Sequence, residues 1–209
     1  MALPDHITVL IIGAGPTGLA AALSLLHHGF HDFLIVDAQP QGENISRAVI
    51  IHAATLEVCH LHCSTSSCLS HAQALDTIGC GDDIVSQGIK STSFNIGSRS
   101  TSLATPHIES LASYTRHPYI LVVTQNVAER TLEKKLASLG VNIHRPLKVV
   151  RLNRNAESSL LTDVTFEDGS VITTAYVIGA DGARSVVRTS ALIALLHHFT
   201  TCRSVLWLG

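Results

Sequence analysis

Hydrophobic and polar positions near the start of the chain form two apolar runs with a helical stretch between them. Residues 7–12 are apolar except for one threonine, mostly β-branched and followed by glycine, which predicts a buried parallel strand. Residues 19–28 are rich in Ala and Leu, which predicts a helix, and Gly29 is a natural end for it. Residues 33–36, Phe-Leu-Ile-Val, predict a second strand that ends on Asp37.

The loop between the first strand and the helix reads Gly-Ala-Gly-Pro-Thr-Gly. The order strand, Gly-x-Gly-x-x-Gly, helix, strand and acid is the fingerprint of a dinucleotide-binding fold. The glycines permit a tight turn, a close approach to a pyrophosphate and close packing of the helix, whose N-terminus attracts phosphate. The alternative is a glycine turn with no ligand. The predicted nucleotide-binding residues here are Gly13, Ala14, Gly15, Pro16, Thr17, Gly18, Asp37 and Ala38.

A strand, a helix and a further strand are predicted in the second half of the chain. Residues 120–123 predict the strand, and Thr-Gln-Asn at 124–126 caps a helix predicted over 127–140. Residues 141–144 predict the third parallel strand. The expected apolar stripe of the helix consists of Ala128, Leu132, Leu136 and Leu139.

The region that follows has the pattern of an antiparallel insertion before a closing strand. Residues 147–152 and 160–166 predict antiparallel strands, and Glu-Asp-Gly-Ser at 167–170 predicts a hairpin turn leading to a strand at 171–172. Residues 175–178 predict the closing parallel strand, which runs directly into Gly-Ala-Asp-Gly.

Two segments depart from this pattern. Residues 59–74 contain no Asp, Glu, Lys or Arg but three of the five cysteines; a metal site is the alternative reading, although the spacing fits no standard zinc pattern. Without this segment Leu56, Leu75 and Ile78 share one helix face, so we interpret it as an insertion, such as a retained intron translated in frame. Residues 191–209 carry one charge and are interpreted as an out-of-pattern tail after which the chain terminates early.

Composition narrows the class of protein. With 209 residues, 46% hydrophobic, and a net charge of −2, the chain fits one domain or little more. The balanced charge gives no support for nucleic-acid or polybasic membrane binding, and no uncharged apolar run is long enough to span a membrane. The first residues lack a basic signal-peptide start, so a cytoplasmic protein is expected. Five cysteines at irregular spacing do not suggest a disulfide framework.

Three motifs together resemble a family. The glycine fingerprint, Ser46-Arg47-Ala48 and the Gly-Ala-Asp-Gly of residues 179–182 are similar to those of flavoprotein aromatic hydroxylases of the phenol and para-hydroxybenzoate hydroxylase type. The resemblance implies an α/β fold with a doubly wound parallel sheet that binds FAD, an inserted β-hairpin and a partial substrate domain. It divides the chain into an FAD-binding domain over 1–190, with 81–124 as the start of a substrate-covering part. The family's basic residue before the Thr-Leu-Glu helix start is absent, since Ala54 stands there.

The resemblance also implies roles for individual residues. Ser46 and Arg47 match a position that contacts the FAD diphosphate, and Gln125 matches a glutamine that contacts the ribityl and phosphate region. Asp181 and Gly182 match a loop that reaches the FAD ribose region and serves nicotinamide-cofactor binding. The alternatives are a solvated surface arginine at Arg47, an ordinary polar residue at Gln125 and a helix N-cap at Asp181.

The implied activity is NAD(P)H-dependent hydroxylation of an aromatic, phenol-like molecule with O2. No residue is assigned a catalytic role. The family's third motif, Gly-Asp with a proline- and glycine-rich loop, does not follow Ser190, so we expect an N-terminal fragment that hydroxylates nothing by itself. Two alternatives are another FAD- or NAD-dependent oxidoreductase and a non-catalytic nucleotide-binding fragment.

Overall fold

The computed structural model describes residues 3–41, 50–52, 56, 75, 78–98, 101–190 and 205–207. The chain divides into two compact units, one formed by Met1–Glu43 with Leu132–Gly209 and one by Asn44–Thr131. The domain bounds expected from the sequence remain a prediction. Within the described residues, no helix combines the length and apolar character that a membrane crossing requires.

In chain order the elements are β1 (His6–Ile12), α1 (Pro16–His27), β2 (Phe33–Val36), β3 (Ile50–Ile51), α2 (Gly81–Ser86), β4 (Ile89–Ser91), β5 (Ile96–Gly97), β6 (Ser102–Ala104), a 3-10 turn (Ile108–Leu111), β7 (Ile120–Val122), α3 (Gln125–Ser138), β8 (Ile143–His144), β9 (Val149–Arg154), β10 (Thr162–Phe166), β11 (Val171–Gly179), a 3-10 turn (Gly182–Arg184), a helix α4 described over 186–190, and β12 (Val205–Trp207).

The first unit is built on one mixed sheet with the strand order β8-β2-β1-β11-β10-β9. Strands β8, β2, β1 and β11 are parallel, whereas β11, β10 and β9 pair antiparallel. The predicted α/β fold with a parallel sheet and an inserted antiparallel hairpin is confirmed. A core cluster covers one face of the sheet; its fully or nearly fully buried members include Leu10, Val36, Val164, Phe166, Ile172, Val177 and Val187.

The start of the chain folds as its pattern predicts. Leu10 and Ile11 point to opposite faces of β1 and both are fully buried, as in a strand covered on both sides. Helix α1 begins at Pro16, three residues before the predicted stretch, since proline suits the first helical position; it ends before Gly29, whose φ of +75° suits the residue after a helix. The N–H of Gly29 donates to the Leu26 carbonyl and that of Phe30 to the Leu25 carbonyl, which satisfies the last turn.

The hairpin and the closing strand form one continuous element, which corrects the prediction of two separate strands. The turn 167–170 connects β10 to β11, and Gly169 has the positive φ of +86° expected there. The nine residues of β11 pair with β10 through residues 171–174 and with β1 through residues 173–179. The predicted strands were separated at Thr173 and Thr174 because these residues are polar. Both are nevertheless good strand residues because they are β-branched.

Helix α3 begins at Gln125, two residues earlier than predicted, because the Thr124 carbonyl already accepts the N–H groups of Val127 and Ala128. Ala128, Leu132 and Leu136 are buried as expected. Leu139 is 51% exposed, so the predicted stripe ends one turn early. It lies beyond Ser138, next to Gly140 with φ +80°, where the helix has already ended.

The second unit contains a small antiparallel sheet, β3-β7-β4, and a hairpin of β5 and β6. Leu56, Leu75 and Ile78 are all buried; Leu56 is helical, whereas Leu75 and Ile78 lie in turns, so their common helix face remains a prediction. Gly79 has a φ of +71°, in line with the predicted helix end. The segment 59–74 lies outside the described residues, so its interpretation as an insertion remains a prediction.

The tail also contributes to the first unit. Residues 205–207 form β12, which pairs in parallel with residues 177–179 of β11. The sequence analysis placed 191–209 outside the fold pattern, and this strand corrects that view for three residues. Their sequence, Val-Leu-Trp, favours a strand.

Candidate functional site

The glycine loop lies at the carboxyl end of β1, in close contact with the end of β11. Gly13 has a φ of +105°, and its N–H donates to the Val36 carbonyl at 2.8 Å. A β-carbon at Gly13 would overlap the Ala180 carbonyl. Glycine is therefore required here for its conformation and for the lack of space.

Gly18, in the first turn of α1, permits an equally close approach. A β-carbon there would overlap the carbonyl oxygen of Gly13 and crowd the side chain of Ala180. The predicted role of Gly18 in close helix packing thus has a defined partner, which is the backbone of the loop itself.

The N-terminus of α1 has no side-chain cap. Gly15 is the N-cap residue, and Pro16 at the first helical position has no N–H. The first backbone hydrogen bond into the helix runs from the Leu19 N–H to the Gly15 carbonyl at 3.0 Å. The N–H groups of Thr17 and Gly18 therefore have no acceptor among the described residues, and they carry the positive end of the helix dipole.

Asp37, at the end of β2, holds the glycine loop. Its Oδ2 accepts the N–H of Ala14 at 2.6 Å and its Oδ1 accepts the N–H of Gln39 at 2.7 Å. The carboxylate is half-buried, and neighbouring Ala38 is exposed. The structure thus gives Asp37 a structural contact that sequence reasoning did not predict, beside its expected role at a ribose.

Arg145 is a further residue at the loop that sequence reasoning missed. It directly follows β8, and its Nη2 donates to the Ala14 carbonyl at 3.2 Å. Its Nη1 lies 3.0 Å from Oε1 of Glu133 on α3, and the side chain is only 13% exposed. The only sequence signal is one basic residue at the end of a predicted parallel strand, where ligands often bind.

The second predicted motif forms a closed helix start. Asp181 accepts the Ser185 hydroxyl at 2.6 Å through Oδ1, and the N–H groups of Val186 and Val187 at 2.7 and 3.2 Å through Oδ2. The Ser185 hydroxyl in turn accepts the N–H of Arg188 at 2.8 Å. Asp181 therefore accepts the first N–H groups of α4, as a capping residue does, although Ser185 and not Asp181 stands at the N-cap position; adjacent Gly182 has a φ of +73°.

In the second unit, the amide of Gln125 donates to Oε1 of buried Glu129 at 2.7 Å, one turn further along the helix. Ser46 and Arg47 lie outside the described residues, so their expected contacts with the diphosphate remain predictions.

Buried His117 shares a 2.8 Å hydrogen bond with the Tyr119 hydroxyl, whereas Tyr114 is 84% exposed. No group of three metal-ligating side chains occurs in the described parts of the chain.

The family model described as "FAD binding domain" matches residues 6–209. The chain belongs to this FAD-binding family. The predicted family and cofactor class are thereby confirmed.

The relatives of the chain are named monooxygenases. It is 30% identical over 189 residues to pentachlorophenol 4-monooxygenase of Sphingobium chlorophenolicum, covering 89% of this chain and 32% of that protein. Among solved structures, the anhydrotetracycline hydroxylase of Streptomyces rimosus matches with a TM-score of 0.67 and 29% identity over 88% of this chain and 33% of that chain. The p-nitrophenol 4-monooxygenase of Pseudomonas putida shares the fold, with a TM-score of 0.71, 23% identity, and coverage of 90% and 44%.

The residues at the glycine loop fit the ADP half of FAD. The uncapped N–H groups at the start of α1 suit a diphosphate, and the crowded glycines keep side chains out of its place. The chain spans about a third of the length of the curated relatives it matches.

Proposed function

We propose that the glycine loop binds the diphosphate of FAD and that Asp37 accepts its adenosine ribose hydroxyls. The observation that carries this proposal is the uncapped N-terminus of α1, where Thr17 and Gly18 present N–H groups without an acceptor among the described residues. Asp37 stands at the end of the neighbouring strand, and each of its oxygens can accept more than one hydrogen bond.

The remaining predicted contacts complete the proposed FAD site. Ser46 and Arg47 would bind the diphosphate side, and Gln125 the ribityl and phosphate region. Asp181 and Gly182 would approach the ribose region from the end of β11, which pairs with β1 and therefore reaches the same edge of the sheet. These assignments rest on the motifs of the family.

We also propose that the protein to which these residues belong hydroxylates an aromatic small molecule with NAD(P)H and O2. The support is that its relatives are named pentachlorophenol 4-monooxygenase and anhydrotetracycline hydroxylase. FAD supplies the redox chemistry when bound, and the described residues bind and orient it. Another FAD-dependent oxidation and a purely nucleotide-binding role are the alternatives, because one fold serves many reactions.

The first test is a titration of the 209-residue chain with FAD, ADP and riboflavin, followed by flavin fluorescence and calorimetry. We expect FAD and ADP to bind and riboflavin to bind much more weakly, because the described donors face a diphosphate. Gly15→Val should abolish binding, since its side chain would occupy the diphosphate position. Ala20→Val, which adds a similar side chain further along α1, serves as the control. Equal FAD affinity in Gly15→Val and the parent would refute the assignment.

The second test asks whether bound FAD is used for hydroxylation. FAD-loaded protein is mixed with NADPH and a panel of phenols, and products are identified by mass spectrometry. We expect at most slow oxidation of NADPH that yields hydrogen peroxide, because this chain by itself is expected to hydroxylate nothing. A hydroxylated phenol would overturn that expectation and support the proposed activity directly, whereas FAD binding without NADPH oxidation favours the nucleotide-binding role.

A further inference from the structure

Both peptide groups that flank the α-carbon of Ala14 are held by charged side chains. The N–H of Ala14 donates to Asp37 at 2.6 Å, and its carbonyl accepts from Nη2 of Arg145 at 3.2 Å. Ala14 is 2% exposed, and both bonds are partly buried. Hydrogen bonds to charged partners in such a setting are stronger than neutral ones.

These two bonds set the direction of the neighbouring groups in the loop. In a trans peptide the C=O and the N–H point in opposite directions. Holding the Ala14 carbonyl toward Arg145 therefore turns the N–H of Gly15 away from Arg145. Holding the Ala14 N–H toward Asp37 likewise turns the carbonyl of Gly13 away from Asp37 and toward Gly18, which has no β-carbon to block it.

The side chain of Arg145 is itself held in place. The ion pair with Glu133 anchors its guanidinium to α3, and the side chain is largely buried. Its Nε is buried and has no hydrogen-bond partner among the described residues. A buried donor without a partner destabilises a protein, so the ion pair with Glu133 and the bond to Ala14 must offset that cost.

We propose that Arg145 is a positioning residue for nucleoside diphosphate binding: it fixes the Ala14–Gly15 peptide so that the Gly15 N–H joins those of Thr17 and Gly18 on the ligand side. The inference rests on the proposed FAD site and adds to it a residue outside the glycine motif. Arg145 acts through the backbone and does not itself touch the ligand.

The test compares Arg145→Gln with Arg151→Gln. Both substitutions remove one positive charge, but Arg151 is exposed on β9, away from the loop. We expect Arg145→Gln to weaken ADP binding in calorimetry by about tenfold, the usual range for losing a hydrogen bond to a charged group, and Arg151→Gln to change it less than about twofold. Arg145→Lys keeps a donor for the Ala14 carbonyl and should restore part of the affinity.

A second measurement needs no ligand. Amide hydrogen exchange of the unliganded proteins, resolved by NMR, should show faster exchange of the Ala14 N–H in Arg145→Gln, by about tenfold, and unchanged exchange in Arg151→Gln. Glu133→Gln removes the anchor but leaves the bond to Ala14, so its effect should be smaller. If Arg145→Gln does not fold, Arg145→Lys and Glu133→Gln decide the matter by the same two measurements.

The outcomes separate this inference from the proposed function. Equal ADP affinity and equal exchange of the Ala14 N–H in Arg145→Gln and Arg151→Gln would overturn the role of Arg145. A loss of affinity that the lysine variant does not relieve at all, with unchanged exchange, would also overturn it. If the parent binds neither ADP nor FAD, the proposed function fails, whereas the exchange measurement still decides whether Arg145 fixes the loop.

Discussion

Two strand–loop–helix corners lie side by side in the first unit, and they treat their helix N-termini in opposite ways. One follows β1 and the other follows β11; the strands pair in parallel, and the Ala180 N–H donates to the Ile12 carbonyl at 2.7 Å. At α4 the carboxylate of Asp181 occupies the N–H groups of the first turn. At α1 the N-cap residue is Gly15, which has no side chain, and among the described residues no side chain accepts the N–H groups of Thr17 and Gly18.

The difference shows how similar sequence patterns acquire different uses. Each corner contains a glycine with a positive φ and precedes a helix, so both resemble anion-binding sites in their sequence pattern. A capped N-terminus has already met its donors within the protein, whereas an uncapped one keeps them for a ligand. The corner at α1 therefore keeps free donors, which supports the proposed diphosphate site there, whereas the first turn of α4 is stabilised by Asp181.

The largest expected effect comes from replacing a glycine on either side of this comparison. In Gly18→Ala the new methyl group would overlap the Gly13 carbonyl, so we expect a loss of about 3 kcal/mol in the free energy of unfolding. In Gly182→Ala the φ of +73° is unfavourable, but no atom lies within 4 Å of the new methyl group, so about 1 kcal/mol is expected. Urea denaturation measures both, and equal losses would show that space is not what distinguishes the two corners.

A smaller effect is expected from substitution of Asp181 at the corner before α4. Asp181→Asn and Ser185→Ala both weaken the start of α4 and should each lower the free energy of unfolding by about 1 kcal/mol. If Asp181 also contacts FAD as proposed, only Asp181→Asn should weaken FAD binding, by about fivefold. Parallel losses of affinity in both variants would assign Asp181 to the cap alone.

The smallest effect is expected at Asp168, a third acid that bonds to its own turn. The hydroxyl and N–H of Ser170 lower the pKa of this carboxyl, with the hydroxyl as the larger cause. Because its pKa is lower in the folded state, its contribution to stability is present above the unfolded value near 4 and is lost as the pH falls through the folded value. Asp168→Asn should therefore be slightly less stable than the parent at pH 7 and equal to it at about pH 2.

Thermal denaturation at both pH values checks this expectation. Ser170→Ala is the matched variant, because it removes the same hydroxyl bond from the other side. FAD affinity should be unchanged in both variants, since the turn at 167–170 is not part of the proposed site. A stability difference that grows toward low pH would contradict the assigned sign.

The sequence predicts the corner after β1 well because local rules determine it. Strong apolar runs and Gly29 give the bounds of β1 and β2 and the end of α1 almost unchanged, whereas α1 begins at Pro16, three residues before the predicted stretch. Prediction was weaker where polar residues lie inside an element: the threonines of β11 concealed a continuous strand. Leu139 continues the helical spacing but lies beyond the helix end, where the stripe no longer faces the core.

The site residues divide in the same way. The glycines of the fingerprint are recognisable because their spacing is tied to backbone geometry. Arg145 was not recognisable, because its role depends on a contact with Ala14 that is distant in sequence, 131 positions away. The hydrogen bonds of Asp37 to the loop were missed for another reason. A ribose contact and a loop contact require the same residue type, so the sequence does not distinguish them.

The pairing of β1 with β11 has a consequence for the order in which the chain folds. Partners in this pair are separated by nearly the whole described chain, as in the bond from the Thr174 hydroxyl to the Thr8 carbonyl, 166 positions apart. Such long-range contacts close a large loop late and slow folding. During synthesis β1 therefore stays unpaired on one edge until β11 has been synthesised. A nascent chain that has not reached Ala180 can already form the bonds from the loop to Val36 and Asp37, but it lacks the close packing of Gly13 against Ala180.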